Sequence, residues 1–340
     1  MEPDRKFSLP DCHLIFIFRK NIQGMNRNVL YIVAGFMTIS GCLISKERNR
    51  NGNEGSSQKK GSIWIDRVEL NYSIEGQGQP CLVIGSSVYY PRTFSKELQE
   101  HLKMIFVDMR WFAEDHQADD FQGYDIQSIA DDIENVRSEL DLERVLIMGH
   151  SIHGTIAFEY ARRYAEHVTG LVLIGSPNIY GNETYDRATR YIWETASSER
   201  KEKQKRNWEA LAARPPLSGG DITIENYIAM APKYWYDPDY DARWLWEGMT
   251  INQALIEHLY GIIFEDYHMF KYEKSVPAPT LVVMGKYDYA VPSALWQDFD
   301  SIPDLTLKLF EKSGHTPQLE EPGLFLAIIL EWLEKNNFSN

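Results

Sequence analysis

Short, almost continuously apolar runs punctuate the chain from residue 62 onward. They read "CLVIG" (81–85), "KMIFVDM" (103–109), "RVLIMG" (144–149), "GLVLIG" (170–175), "PTLVVMG" (279–285) and "LTLKLF" (305–310). Runs of this length without polar interruption predict strands of a parallel sheet buried on both faces. The stretch "SIWIDRVELNYSIEG" differs. Its apolar positions alternate at Ile63, Ile65, Val68, Leu70, Tyr72 and Ile74, which predicts a half-buried antiparallel ribbon ahead of the parallel strands. Between the runs lie helical periods. "YDIQSIADDIENVRSELDL" brings Ile126, Ile129, Ile133, Val136 and Leu140 to one face, and "GLFLAIILEWLEK" closes the chain as an amphipathic helix. The expected fold is α/β, a doubly wound, mostly parallel sheet.

The rhythm breaks once. About 100 residues separate "GLVLIG" from "PTLVVMG". Helix-length patterns such as "RKEKQKRNWEALAA" and "INQALIEHLYGIIF" fill the gap, with many aromatic side chains. Residues 178–275 therefore read as an inserted helical cap. The core falls into two parts on either side of it, 62–177 and 276–338.

Residues 1–61 have another character. From Met25, "MNRNVLYIVAGFMTISGC" runs from a basic residue, Arg27, through an apolar stretch to small residues and Cys42. That is the shape of an export signal, and it is short for a membrane span. Residues 1–41 are expected to be a signal, with Met25 as its start and 1–24 an over-extended beginning. The polar segment that follows, up to residue 61, reads as a flexible tether. "ISGC" resembles the lipobox of bacterial lipoproteins. That resemblance implies cleavage before Cys42, a lipid on its sulfur, and an exported protein held to a cell-envelope membrane only through that anchor.

Composition narrows the chemistry. The formal net charge is -14, which argues against a nucleic-acid surface. Three cysteines, Cys12, Cys42 and Cys81, make no disulfide framework, and Cys81 reads as a small core residue. The histidines show no ligand-like spacing, so neither metal nor cofactor is expected.

In "RVLIMGHSIHGTIAF", residues 144–158, a strand turns into a helix at Ser151. A serine on such a turn stands above the carboxyl edge of the sheet, next to the free N–H groups of a helix start. A serine nucleophile needs a base, and the base an orienting acid. "VVMGKYDYAVP" puts Asp288 just beyond a strand, and "LFEKSGHTPQLEEP" puts His315 in the loop after the next one. The order Ser151, Asp288, His315, each at a strand's carboxyl end, is more specific than any one motif.

On these residues the chain, over roughly 62–338, resembles the α/β-hydrolase superfamily with a helical cap. The resemblance implies a Ser151–His315–Asp288 triad and an oxyanion hole made by the N–H groups of Ile152 and Ser86. It also implies that Asp108 and Arg110 of "VDMRWF" are structural. Three positions depart from the family pattern: Trp111 stands where glycine is usual, His153 where the elbow wants a small residue, and Ile84, ahead of Gly85 and the Ser86 donor, where members often read the histidine of His-Gly. His153 reads as a spacer or pocket-wall residue, because residues i and i+2 of a helix start point to nearly opposite sides. "GKYDYAVPSALW" followed by "KSGHTPQLEEP" is similar to the proline iminopeptidase branch, whose elbow usually reads Gly-Gly-Ser-Trp-Gly. The expected activity is hydrolysis of a small ester, amide or peptide. Two alternatives stand beside it: a proline iminopeptidase-like aminopeptidase, and a ligand-binding receptor with little turnover. The expected partner is a small-molecule or short-peptide substrate.

Overall fold

In the computed structural model, residues 59–113, 123–271, 276–296 and 304–338 are described. The expected signal at 1–41, with Cys42, and most of the tether lie outside them.

Eight strands form one sheet: β1 (Lys59–Ile65), β2 (Val68–Glu75), β3 (Gln79–Gly85), β4 (Leu102–Asp108), β5 (Val145–His150), β6 (Val168–Ile174), β7 (Thr280–Gly285) and β8 (Leu305–Phe310). Their spatial order is β1-β2-β4-β3-β5-β6-β7-β8. The first two are antiparallel to each other and β2 is antiparallel to β4, while every pair from β4 to β8 is parallel. The antiparallel ribbon and parallel strands are those expected from the apolar pattern. β1 takes in Lys59, Lys60 and Gly61, which the polar character of the tether had hidden. Their backbones pair with Ile74, Ser73 and Tyr72 while both lysine side chains stay in solvent.

Successive strand residues serve opposite faces. Val145 and Ile147 join one apolar core with Leu82, Ile84, Leu171 and Leu173. Leu146 and Met148 join the other with Cys81, Val83, Val172 and Ile174. Both faces are covered, which explains why these runs lack polar alternation. On the first face lie α1 (Ile126–Glu139) and α2 (Ile152–Arg163). Asp125 caps α1 by accepting from Ser128 N–H at 2.9 Å, and Ile129, Ile133 and Val136 are buried below it. β8 is the exception among the strands. It ends the sheet, and Leu307 and Leu309 are 40% and 44% exposed, so its apolar run is not buried on both sides.

Between β6 and β7 the chain forms α3 (Asn182–Thr195), α4 (Ser198–Ala212), α5 (Asp221–Ala229), α6 (Ala231–Tyr234), α7 (Arg243–Trp246) and α8 (Gln253–His258), followed by a π turn at Leu259–Ile263. Among the described residues no strand interrupts them. Arg200 of α4 is 7% exposed and donates to the carbonyls of Pro232, Trp235 and Tyr236, which pins the α6 segment. The fold closes with α9 (Pro317–Glu320) and α10 (Pro322–Lys335), whose Phe325, Ile329 and Trp332 are buried on the second face. Among the described residues no helix is long and apolar enough to cross a membrane.

Candidate active site

Ser151 sits between the last residue of β5 and the first of α2, with φ 56° and ψ −130°. A non-glycine residue pays for a positive φ in strain, which the surroundings must hold in place. Here Ser151 N–H donates to Ile174 O at 2.8 Å, and its carbonyl accepts from Gly154 N–H at 3.0 Å. The turn is tight because two glycines let it be. A Cβ on Gly149 would meet the His153 carbonyl at 2.2 Å, and one on Gly154 would meet Ser176 Oγ at 1.8 Å. The small residues expected around Ser151 are thus a packing requirement.

His315 and Asp288 meet across the loops after β8 and β7. His315 Nδ1–H donates to Asp288 Oδ2 at 2.7 Å, and the two residues are 1% and 0% exposed. The other carboxylate oxygen accepts from Ala290 and Val291 N–H at 3.0 and 2.7 Å. A carboxylate so held orients the ring, and the unprotonated Nε2 is left as the basic nitrogen. His315 N–H donates to Tyr234 O at 2.5 Å, so a cap carbonyl holds the His315 backbone. His150, the neighbour of Ser151, touches the same residue with ring centroids 4.7 Å apart. No hydrogen bond joins Ser151 Oγ to His315 among the described residues. Such bonds often tighten only with substrate bound.

Among the described residues neither Ile152 nor Ser86 gives its backbone N–H to a protein acceptor. Ile152 is the first residue of α2, where helix N–H groups are free by construction. Ser86 follows β3 and is 1% exposed, and its Oγ accepts from the N–H groups of Val88 and Tyr89, both at 3.1 Å. Asp108 Oδ1 accepts from Ser87 N–H at 2.6 Å, and Arg110 makes a two-pronged contact with Asp132 at 2.6 Å in each arm. Asp108 thus holds the loop after β3, and Arg110 ties the loop after β4 to α1.

Three features of the site were not singled out from sequence. Gly175, at φ +53°, directly follows β6, and a Cβ there would meet His315 O at 2.6 Å. The glycine at the end of "GLVLIG" was the signal. Glu320 brackets His315: Oε1 accepts from Gly314 and Thr316 N–H at 3.0 and 3.2 Å, and Oε2 from Tyr236 N–H at 2.7 Å. Burial pushes its carboxyl up to about 7, against the pull of those three donors. Tyr90 lies beneath the site, 3% exposed, with its hydroxyl 2.8 Å from His153 Nδ1. His153 itself is buried against Tyr90 and Trp111. No cluster of three metal-ligating side chains occurs among the described residues.

Comparison with known proteins gives one picture. A family model described as the alpha/beta hydrolase fold matches residues 82–322. The chain is 34% identical over 280 residues to the AB hydrolase superfamily protein YclE of Bacillus subtilis, covering 82% of this chain and all of that protein. It is 26% identical to the proline iminopeptidase PfmaB of Pestalotiopsis fici, across 80% of this chain and 99% of the other. Among solved structures it is similar to an alpha/beta fold family hydrolase from Bacillus anthracis, with a TM-score of 0.62 and 20% identity, covering 81% of this chain and 99% of that one.

Proposed function

This chain belongs to the α/β-hydrolase family, and from that membership we propose that it is a serine hydrolase cleaving small ester, amide or peptide bonds through an acyl-enzyme. One observation carries the reading. A serine in a strained strand-to-helix turn shares the sheet's carboxyl edge with a buried His315–Asp288 pair.

The steps follow from the groups present. His315 Nε2 takes the proton from Ser151 Oγ as Oγ attacks the carbonyl carbon. The N–H groups of Ile152 and Ser86 receive the oxyanion, and Asp288 stabilises the imidazolium. His315 then protonates the leaving alcohol or amine as the carbonyl bond to it breaks. Water, deprotonated by the same nitrogen, releases the acid and restores Ser151. Serine at the elbow speaks against the epoxide-opening members of this fold, which attack through an aspartate.

The similarity to PfmaB supports an aminopeptidase as the second reading. Such an enzyme needs a carboxylate to hold the substrate's amine. Glu225 of the cap is already engaged with Arg214 and Arg243, so it is a poor choice for that role.

A fluorophosphonate probe tests the proposal. It should modify Ser151, found by peptide mapping, and abolish hydrolysis of p-nitrophenyl acetate. Hydrolysis that survives complete labelling of Ser151, or that persists in Ser151→Ala, overturns it. Aminoacyl-naphthylamides run beside the esters separate the two substrate readings.

A further inference from the structure

Two of the residues that depart from the family pattern, Trp111 and His153, touch. The contact is one end of a longer chain of polar groups whose directions are set by chemistry. An indole N–H can only donate. Trp111 Nε1 lies 3.3 Å from His153 Nε2, so that nitrogen is the acceptor. A neutral imidazole has one N–H, which must then be on Nδ1. That N–H points at the Tyr90 hydroxyl, 2.8 Å away.

The far end is fixed by the same logic. A carbonyl can only accept. His150 Nε2 lies 2.8 Å from His315 O, so Nε2 carries the proton and Nδ1 is bare. The Tyr90 hydroxyl, having accepted from His153, has its own proton to give. It stands 3.4 Å from both His150 Nδ1 and His150 O. Trp111, Tyr90, His150 and His153 are 0%, 3%, 4% and 6% exposed. Burial holds both imidazoles well below the usual histidine range, His153 at about 3, so both stay neutral in neutral solution.

We propose that Trp111, His153, Tyr90 and His150 form a one-way hydrogen-bond relay that positions the His315 main chain against the Ser151 elbow. The two histidines flanking Ser151 sit in opposite tautomers, His153 protonated on Nδ1 and His150 on Nε2. The relay begins after β4, crosses the first turn of α2, passes through the loop that also carries Ser86, and ends on the base's own carbonyl. Tyr90 is its junction. His150 packs against the His315 ring, but among the described residues none of the four hydrogen-bonds Ser151 Oγ or a His315 ring nitrogen, and the one bond to His315 goes to its main-chain carbonyl, so all act as positioning residues. The proposal rests on the reading of Ser151 and His315 as nucleophile and base.

Two measurements on the full chain test it. The first is ¹⁵N NMR of histidine-labelled wild-type protein at neutral pH, assigned with His150→Gln and His153→Gln. The expected result is one buried imidazole protonated at Nδ1 and one at Nε2. Matching tautomers, or a charged ring at either position, overturn the relay. The second is Tyr90→Phe, assayed with p-nitrophenyl acetate. We expect kcat to fall about tenfold or more with KM within about twofold, and fluorophosphonate labelling of Ser151 to slow in parallel. His153 should then show a changed tautomer ratio. Unchanged kcat and labelling in a folded Tyr90→Phe overturn the positioning role. Failure of the probe to label wild-type Ser151 instead overturns the reading of the nucleophile, while the tautomer result stands apart from it.

Discussion

The indole of Trp111 donates to Nε2 of His153 at 3.3 Å, and the rings stack with centroids 5.6 Å apart and planes 21° apart. Each residue alone is a misfit for its position, being large where the fold wants something small. Together they fill one space under the elbow, with a donor facing an acceptor. Trp111→Gly removes a fully buried indole and leaves His153 Nε2 without a partner. The expected cost is roughly 3–5 kcal/mol. His153→Ala should cost less, and the double variant less than the two added together, because the residues are in contact. Urea unfolding of the four proteins measures the coupling. Strict additivity would show that the two departures are independent.

Ser151→Ala, His315→Ala and Asp288→Asn should each lower kcat for p-nitrophenyl acetate by orders of magnitude. The groups act as a unit, so Ser151→Ala combined with His315→Ala should be hardly worse than Ser151→Ala alone. Thermal unfolding should change little for Ser151→Ala, which removes one hydroxyl. Wild-type turnover in His315→Ala would dispose of the mechanism.

Much of this was legible in the chain. Strands β3 to β7 showed as apolar runs because each residue of a two-sided sheet faces a core, and both cores are present. The residues of the proposed triad stood out because each follows a strand and their order is informative. What was hidden depends on tertiary approach. The pairing of Lys59 and Lys60 in β1 involves backbone only, so their polar side chains pointed to tether. Leu307 and Leu309 carry no mark that their strand is the last. Trp111 and His153 stood out separately, 42 residues apart, and nothing in the sequence joined them. Glu320 lay in plain sight in "HTPQLEEP", but of its three backbone donors one, Tyr236 N–H, comes from a segment 84 residues away, and only the fold brings it to the two nearby ones.

Glu320 makes stability depend on pH. Burial raises its carboxyl to about 7, above the roughly 4.3 of a free glutamate. The folded state therefore holds the proton more tightly than the unfolded one. Its contribution is fully present below the unfolded value and is lost as pH rises through about 7. Glu320→Gln cannot titrate. Measured by urea unfolding, the stability of wild type relative to Glu320→Gln should decline from pH 5 to pH 8. A constant difference between the two proteins over that range would refute the assignment.

The Cys42 sulfur should carry lipid in the mature protein, which would then begin at that residue. The motive is the succession of basic, apolar and small residues ending in cysteine from Met25 onward. Mass spectrometry of membrane-fraction protein reads the modification directly, and Cys42→Ser should release the protein into the soluble fraction. An unmodified peptide running through Gly41 and Cys42 in mature protein rules the anchor out.

His315, the proposed base, is covered by aromatic side chains from the cap, and this sets an expectation for substrate size. The Tyr234 ring lies 5.0 Å from that of His315, Tyr227 stacks on Tyr234 at 4.4 Å, and Trp246 meets Tyr227 at 5.0 Å. The roof is fastened at several points. Tyr234 O receives His315 N–H, Arg200 holds the carbonyls of Pro232, Trp235 and Tyr236, and Arg92 from the loop after β3 donates to the carbonyls of Trp244 and Leu245. A cover fixed to the His315 loop and to the Ser86 loop would limit both water and the length of substrate that reaches Ser151. Short acyl and short peptide substrates should therefore be preferred over long chains and folded proteins. Comparing kcat/KM for acetyl, butyryl and palmitoyl p-nitrophenyl esters gives the order, and a dipeptide beside an intact protein extends it. Loosening the roof with Arg200→Met should narrow the gap between acetyl and palmitoyl esters. A wild-type preference for palmitoyl, or a gap that Arg200→Met leaves untouched, would show that the cap does not select by size.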